Sequence, residues 1–446
     1  MHTGNAGAKR VLNPEIDAPA GPYGPLAPER RIAALDAARG FALLGILLMN
    51  IEFFTRPLVG FVLGFDTTLH GADRDAGWLV MAFVQGKFWT LFSLLFGAGF
   101  ALMLERAQAR GRSFFPLYVR RLTVLLLIGL AHTLLIWAGD ILVIYAMAGF
   151  VLLVLFRSTP VARLWKWGLA LYLAPLLLMW LLAGGIEAAR MAAPEEFAEI
   201  QADAATQETE LRERYVRDAR TYQTGSFAQV TAQRARDSAM QAGWLPMILP
   251  SVLGVFLIGA WMLRTGRLRE PERHRGFHRR CLLLGLPLGA LLAVLAMRYL
   301  VGVPPLMPGV EQALGMSLMG VASLLLCLAY LSALILLVLG PLPALAHWLA
   351  PVGRMALSNY LLQSLCFTLL FYGYGLGLWG QVSRAWQIPL ALGFFLAQVL
   401  LSRWWMTRYR FGPAEWLWRT LTYGRRPAMR RLVTAQAPCP SGEGLG

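Results

Sequence analysis

Ten times along its 446 residues the chain enters a run of about 20 mostly apolar side chains, the length a helix needs to cross a bilayer. The runs cover 35–54, 88–105, 119–138, 140–157, 163–186, 244–264, 281–301, 314–339, 353–372 and 386–405. In hydrocarbon a backbone must satisfy its own hydrogen bonds, so each run has to be a helix. Composition agrees: 57% of residues are hydrophobic and 15% charged, where soluble domains sit near half and a quarter. The expected fold is all-α, a polytopic transmembrane helix bundle of about ten spans.

The net charge of +16, from 41 basic and 25 acidic residues, could suggest nucleic acid if it were spread evenly. Instead the basic residues cluster beside apolar runs, near 106–121, 157–166, 264–280 and 403–431. Cytosolic loops collect Lys and Arg, and placing both termini in the cytosol puts all four clusters there. The poorer segments 55–87, 139–140, 187–243, 302–312 and 373–385 then face the other side. Membrane lipids are the partners this pattern implies, and nucleic acid is not.

Five regions follow. Residues 1–30, rich in Pro, Gly and Ala, have no apolar core for a signal peptide and are expected to form a flexible cytosolic tail. A first block of five spans fills 31–186 and a second fills 244–405. Between them, 187–243 holds ten acidic and seven basic residues and reads as an extracytoplasmic insertion of amphipathic helices. The tail at 406–446 is basic and aromatic. No internal repeat supports an inverted-repeat transporter. Cys281, Cys327, Cys366 and Cys439 lack CxxC spacing, so neither a disulfide framework nor a metal site is expected. A homodimer is compatible with the sequence but not specified by it.

Polar groups inside the runs are expensive and so informative. The first run, ALDAARGFALLGILLMN, carries Asp36, Arg39 and Asn50. Arg39 and Asn50 are eleven residues apart and point almost the same way on a helix, with Asn50 about 16 Å deeper. The third repeats the interval with Arg121, next to Arg120, and His132, and ends at Gly139-Asp140. The ninth, GRMALSNYLLQSL, starts with Arg354 and places Ser358, Asn359 and Gln363 behind it. All three run outward, so a polar cavity between them, open to the cytosol, is expected.

Each residue also has a plainer reading. Arg120 and Arg121 can snorkel to lipid phosphates, and Asp36 with Arg39 can be a structural ion pair. Asn359 and Gln363 can tie helices together, and His132 can be satisfied by one interhelical hydrogen bond. Asp140 can cap the fourth helix. His70, in the loop DTTLHGADRDAGW, can be idle. Lys87 can snorkel, or it can neutralise Asp140. Gly97 and Gly99 read as sites of close helix approach. In the tail, Gly412-Pro413 can start a short helix with Glu415 in its first turn, serving as a surface anchor or as a gate at the cytosolic mouth.

The first run, LFSLLFGAGF, LAHTLLIWAGDIL, GRMALSNYLLQS, FYGYGLGLWG and FGPAEWLWRTLTYG together resemble the YeiB family of bacterial inner-membrane proteins over residues 31 to 431. More distantly, Arg31, Leu35, Asp36, Arg39, Gly40 and Ala42 match R-x3-LD-x2-RG-x-A, a pattern similar to the first span of integral-membrane acyltransferases. Two types are meant: the sugar O-acyltransferases and the heparan-glucosaminide acetyltransferases. That resemblance implies a cytosolic acyl-CoA donor and a small-molecule, glycan or lipid-linked acceptor on the far side. Where the O-acyltransferases place a catalytic histidine this chain has Asn50. The heparan-glucosaminide type has asparagine there and uses a histidine in the next outer segment, which points to His70, with His132 as the other candidate base.

The expected scheme has Arg39, Arg120, Arg121 and Arg354 holding CoA phosphates, His132 or His70 as base, Asn50 as oxyanion donor, and Asp140 or Asp73 orienting the histidine. Asp36, Lys87, Asn359, Gln363 and Glu415 are expected in support. The alternative is a transporter or exporter of a small anionic or lipid-like molecule, with His132 and Asp140 relaying protons.

Overall fold

A computed structural model describes residues 33–431, apart from 112, 303–305 and 307–308. The expected N-terminal tail, Arg31, Arg112 and Cys439 lie outside the described residues. The described residues are helical, and their strand-like pairing is an isolated bridge between Tyr409 and Arg430. Eight helices are long and apolar enough to cross a membrane, and two shorter apolar ones, Leu142–Phe156 and Ala356–Phe371, accompany them. The chain is an all-α membrane protein.

The first run forms α1 (Ala33–Phe53). The segment 55–87, expected as a loop, contains α2 (Gly71–Phe83), which is polar in its first turn and apolar after Trp78. Gly86, at φ 86°, breaks the helix and lets α3 (Lys87–Ala109) set off anew, since a side chain resists that backbone conformation. α4 (Phe115–Leu135) and α5 (Leu142–Val151) follow, α5 ending in a π-helical turn, Leu152–Phe156. Next comes α6 (Val161–Ala192).

The charged segment folds as α7 (Pro194–Thr224) and α8 (Phe227–Ala242), the latter started by a capping box between Ser226 and Gln229. The second half runs through α9 (Leu245–Arg264), α10 (Arg275–Leu300) and α11 (Val310–Val338). The ninth run departs from expectation. It is split at Arg354–Met355 into α12 (Ala344–Arg354), which begins earlier than the apolar pattern suggests, and α13 (Ala356–Phe371). Finally come α14 (Arg384–Arg408) and the short α15 (Pro413–Tyr423).

α1 is the hub and packs against α3, α11, α12, α13 and α14. Its small residues Ala37, Ala38 and Ala42 are fully buried. A Cβ on Gly353 of α12 would collide with the Asp36 carbonyl and lie 2.8 Å from the Gly40 nitrogen, so only glycine allows this crossing. Gly97 meets the Phe256 backbone in the same way, as expected of a packing glycine; a Cβ on Gly99 would instead meet the Arg39 guanidinium at 3.6 Å, an ordinary contact. Leucines exposed along the outside, such as Leu177 and Leu181 on α6 and Leu283 and Leu284 on α10, form the lipid-facing surface.

At the end opposite the basic clusters, α8 sits on the α4–α5 corner. Arg234, fully buried, donates to the Leu135 carbonyl at 2.9 Å and to the Tyr374 hydroxyl at 2.5 Å. Gln241 donates to the Ala138 carbonyl at 2.9 Å. The corner is therefore clamped from outside by the inserted helices.

Candidate functional site

A cavity of about 480 Å³ enters the bundle from the basic end. On α1 it is lined by Leu35, Asp36, Arg39, Leu43 and Ile46, a stripe with helical spacing. Arg106 of α3, Arg110 just past its end and Arg121 of α4 join Arg39 around the mouth, and Arg269, Arg354, Arg410 and Arg419 complete it. Asp36 and Glu415 are the carboxylates in the lining, so positive charge dominates. Asp36 accepts from Arg39 at 2.8 Å, so the pair is real and also faces the cavity. Further in, the walls turn apolar and aromatic, and the inner end reaches Ile141, Tyr145 and Tyr360.

α15 forms one wall of the mouth. The Arg121 guanidinium lies 3.6 Å from the centre of the Trp418 ring, and the Trp418 indole donates to the Arg121 carbonyl at 3.0 Å. Glu415 turns into the break between α12 and α13. It accepts from the backbone of Leu357 at 2.7 Å and Ser358 at 3.1 Å, and from the Ser358 hydroxyl at 2.5 Å. Its carboxylate caps the first turn of α13, where free N–H groups and the helix dipole both favour an anion. Burial pushes the Glu415 carboxyl above its ordinary range, and the bonds from Ser358 and Leu357 oppose that shift.

Just past the inner end, the Asp140 Oδ1 atom accepts from His132 Nδ1 at 2.9 Å. Both side chains are buried, with 1% and 0% of their surface exposed. Asp140 also plays the plainer role, its Oδ2 accepting from the Val143 backbone in the first turn of α5 at 2.9 Å. Tyr360 donates to Oδ1 at 3.4 Å, which ties the dyad to a residue that lines the cavity. A carboxylate on Nδ1 fixes the tautomer with the proton there, leaving a lone pair on Nε2. Among the described residues Nε2 has no hydrogen-bond partner. Beyond the dyad, Phe54 packs on Trp137 with ring centres 4.4 Å apart and on Phe367 at 5.6 Å, closing the opposite side.

The structure sorts the expected residues. Arg39, Arg121, Arg354, Asp36 and Glu415 share the cavity, but Arg120 is exposed beside Gly424 and does not line it. Asn50 is buried one turn beyond Ile46 on the same stripe and makes no hydrogen bond to the dyad. His70 is exposed at the start of α2, outside both cavity and dyad. Asp73 does not orient a histidine; it accepts from the Ala385 backbone at 2.8 Å, at the start of α14. Lys87 does not neutralise Asp140, since its amine touches the Met81 carbonyl at 3.3 Å and the Met319 sulfur at 3.0 Å.

Asn359 and Gln363 turn away from the cavity toward α14. Asn359 donates to Ser402 at 3.0 Å and Gln363 to Gln398 at 2.8 Å, while Gln398 returns a bond to the Asn359 carbonyl at 3.0 Å. They are helix-to-helix ties. Tyr360, between them in sequence, lines the cavity together with Ala356 and Leu357 at the start of α13, and a tyrosine flanked by helix-spaced polar groups was the signal available for it.

A family model described as a protein of unknown function, DUF418, matches residues 262–425, which includes α12 to α15. Across nearly the whole chain, the uncharacterised protein YeiB of Escherichia coli (strain K12) is 34% identical over 423 residues, 88% of this chain and 96% of the relative. The chain belongs to the YeiB family. The uncharacterised protein YxaH of Bacillus subtilis (strain 168), 33% identical over 421 residues, covers 90% of this chain and 96% of its own length. No solved structure matches. In this YeiB-family chain the segments GRMALSNYLLQS and FGPAEWLW, both within the matched range, meet through Ser358 and Glu415.

Proposed function

We propose that this protein is an acyltransferase of the bacterial cytoplasmic membrane that draws on cytosolic acyl-CoA. One observation carries the reading: a single cavity has arginines at its mouth and Tyr360, bonded to the Asp140–His132 dyad, at its inner end. Guanidinium groups bind phosphate with paired hydrogen bonds, so Arg39, Arg110, Arg121 and Arg354 suit the phosphates of CoA. The apolar and aromatic walls suit the pantetheine arm, and the inner end would receive the thioester.

The acceptor, a small molecule, glycan or lipid-linked group bearing a hydroxyl or amine, would meet His132 at Nε2. As its oxygen or nitrogen bonds to the thioester carbon, Nε2 takes the proton and the Nδ1–H remains directed at Asp140. The carbon–sulfur bond then breaks, and the CoA thiolate leaves and recovers the proton from the imidazolium. Such base catalysis contributes about 100- to 10,000-fold in rate. Tyr145 and Tyr360 line the inner end, whereas Asn50 does not line the cavity and so is not placed to donate to an oxyanion there.

Binding of acyl-CoA to the purified protein, measured by calorimetry, tests the reading. Saturable binding that weakens in Arg121→Ala supports it; no binding, or binding indifferent to the arginines, overturns it. The exporter reading uses the same dyad as a proton relay and requires substrate flux into vesicles without any acyl donor, lost in His132→Ala.

A further inference from the structure

At the end away from the arginine-ringed mouth, a second cavity of about 270 Å³ opens between the end of α1, the 58–65 segment, α2 and the outer turns of α10 and α11. Its charged lining is Glu52, Arg56 and Arg384. Glu52 spends both carboxylate oxygens, Oε1 accepting from Arg56 at 2.6 Å and Oε2 from Arg384. One nitrogen of Arg56 is also taken up by the Gly60 and Gly64 carbonyls, each at 2.8 Å.

Donors remain in excess once these bonds are made. Arg56 Nε is buried and has no partner among the described residues. Among the described residues Arg384 makes one hydrogen bond, to Glu52, although its guanidinium carries five N–H groups. Behind the wall, the fully buried Lys87 amine rests on Met81 and Met319, which both line the cavity, and makes no ion pair among the described residues. Two further carboxylates are near: Asp66 feels both arginines and is held by Thr68 at 2.6 Å, and Asp73 feels Arg384 and is held by the Ala385 backbone at 2.8 Å. Two guanidinium groups with unspent donors, converging on the cavity from different elements, call for a ligand rich in acceptor oxygens. Around them the lining is apolar, with Phe61, half exposed at the rim, and Met316 and Leu300 deeper in.

We infer that this cavity is a second binding site, for a phosphate-bearing ligand whose phosphate oxygens meet Arg384 and Arg56 and whose apolar part lies along Phe61 and Met316. On α1 the first cavity ends at Ile46 and the second begins at Glu52, with Asn50 in the wall between them. The two sites therefore approach one another from opposite ends of the bundle. The assignment does not depend on acyl-CoA occupying the first cavity, because it is read out by binding at the second.

The test uses the full chain in nanodiscs. Phosphatidylglycerol and phosphatidylcholine are titrated and followed by native mass spectrometry, and inorganic phosphate is titrated by calorimetry. Two variants are compared: Arg384→Gln removes donors, while Met316→Trp fills the cavity and leaves every ion pair in place. The expected result is saturable binding of at least one probe, weakened tenfold or more by both variants. Retention of phosphatidylglycerol without inorganic phosphate assigns a lipid headgroup, and binding of inorganic phosphate assigns a free anion. No saturable binding, or binding within twofold of wild type in Met316→Trp, overturns the inference even if Arg384→Gln loses affinity, because the arginine would then act only through the fold.

Discussion

Asp140 stands 2.9 Å from His132 although the two are eight residues apart and on opposite sides of a helix end. α4 stops at Leu135, the chain turns through Gly139, and the carboxylate comes back over the imidazole that lies one turn before the stop. On the proposed mechanism, removal of either partner is expected to strike both chemistry and stability. His132→Ala is expected to lower acyl transfer by about 100- to 10,000-fold with little change in acyl-CoA affinity. Asp140→Asn keeps shape and the cap on Val143 but frees the imidazole to take the other tautomer, so most of the rate should go there too. Thiol release from acyl-CoA, measured at saturating donor, checks both. Full rates in either variant would remove the dyad from the chemistry.

The two neighbouring arginines on α4 provide an internal control. Arg121 lines the cavity on the face of Trp418, whereas Arg120 is exposed and outside it. A charge-assisted hydrogen bond contributes about 1.5–3 kcal/mol, which converts to roughly 10- to 100-fold in affinity. Arg121→Ala and Arg354→Ala are expected to weaken acyl-CoA binding by that factor, and Arg120→Ala to leave it within twofold. Calorimetric titration of the three variants decides the matter, and equal losses at 120 and 121 would mean a diffuse surface field instead of a site.

These residues show what could be read from the chain and what could not. The length and apolarity of the runs dictate helices, and the cost of His132 and Asp140 in hydrocarbon marks them regardless of any partner. Spacing also put Asp36, Arg39 and Arg121 near one mouth, because helix periodicity fixes which residues share a face. It does not fix which neighbour that face meets. Asn359, Gln363 and Tyr360 are consecutive or nearly so, yet the first two turn to α14 and the third to the dyad. Which way α13 is rotated is decided by packing against α1 and by the Glu415 cap, both distant in sequence. The same limit hid Arg384 and Glu52, 332 residues apart and in contact. Arg106 and Arg110 were legible only as orientation signals, since a basic loop residue looks the same whether it faces lipid or a cavity.

The inserted helices carry a pH-sensitive contact. Asp237 of α8 is fully buried and accepts from the Tyr222 hydroxyl at 2.6 Å and from Gln233 at 3.0 Å, with Arg214 at 3.5 Å and Asp218 on the same cluster. Burial pushes its carboxyl up to about 6, against an ordinary 3.8. A raised pKa means the folded state binds the proton more tightly than the unfolded one, so stability is highest below about pH 4 for this group. It falls as pH rises from there through 6, by about 3 kcal/mol when fully lost. Hydrogen exchange over residues 222–242 should therefore be slower at pH 5 than at pH 7.5, after correction for the intrinsic rate. Asp237→Asn should flatten the difference; an unchanged pH profile in that variant would assign it to another group.

Glu415 and Ser358 bring the last expectation, because the cap they form couples the short α15 to the broken ninth span. Deleting a helix cap costs about 0.5–2 kcal/mol, and here three hydrogen bonds end on one carboxylate. Glu415→Ala is expected at or above the top of that range, since it leaves the Leu357 and Ser358 N–H groups buried without an acceptor. Ser358→Ala removes the hydroxyl but keeps both backbone bonds, so its cost should be about 1 kcal/mol. The double variant should be less destabilised than the sum of the singles, because the hydroxyl's partner is already gone in Glu415→Ala. Thermal unfolding of the four proteins in detergent gives the cycle, and hydrogen exchange at 356–360 locates the loss. Strict additivity would show that the two side chains do not act through one another, and that α15 is held over the cavity mouth by Trp418 and Arg121 alone.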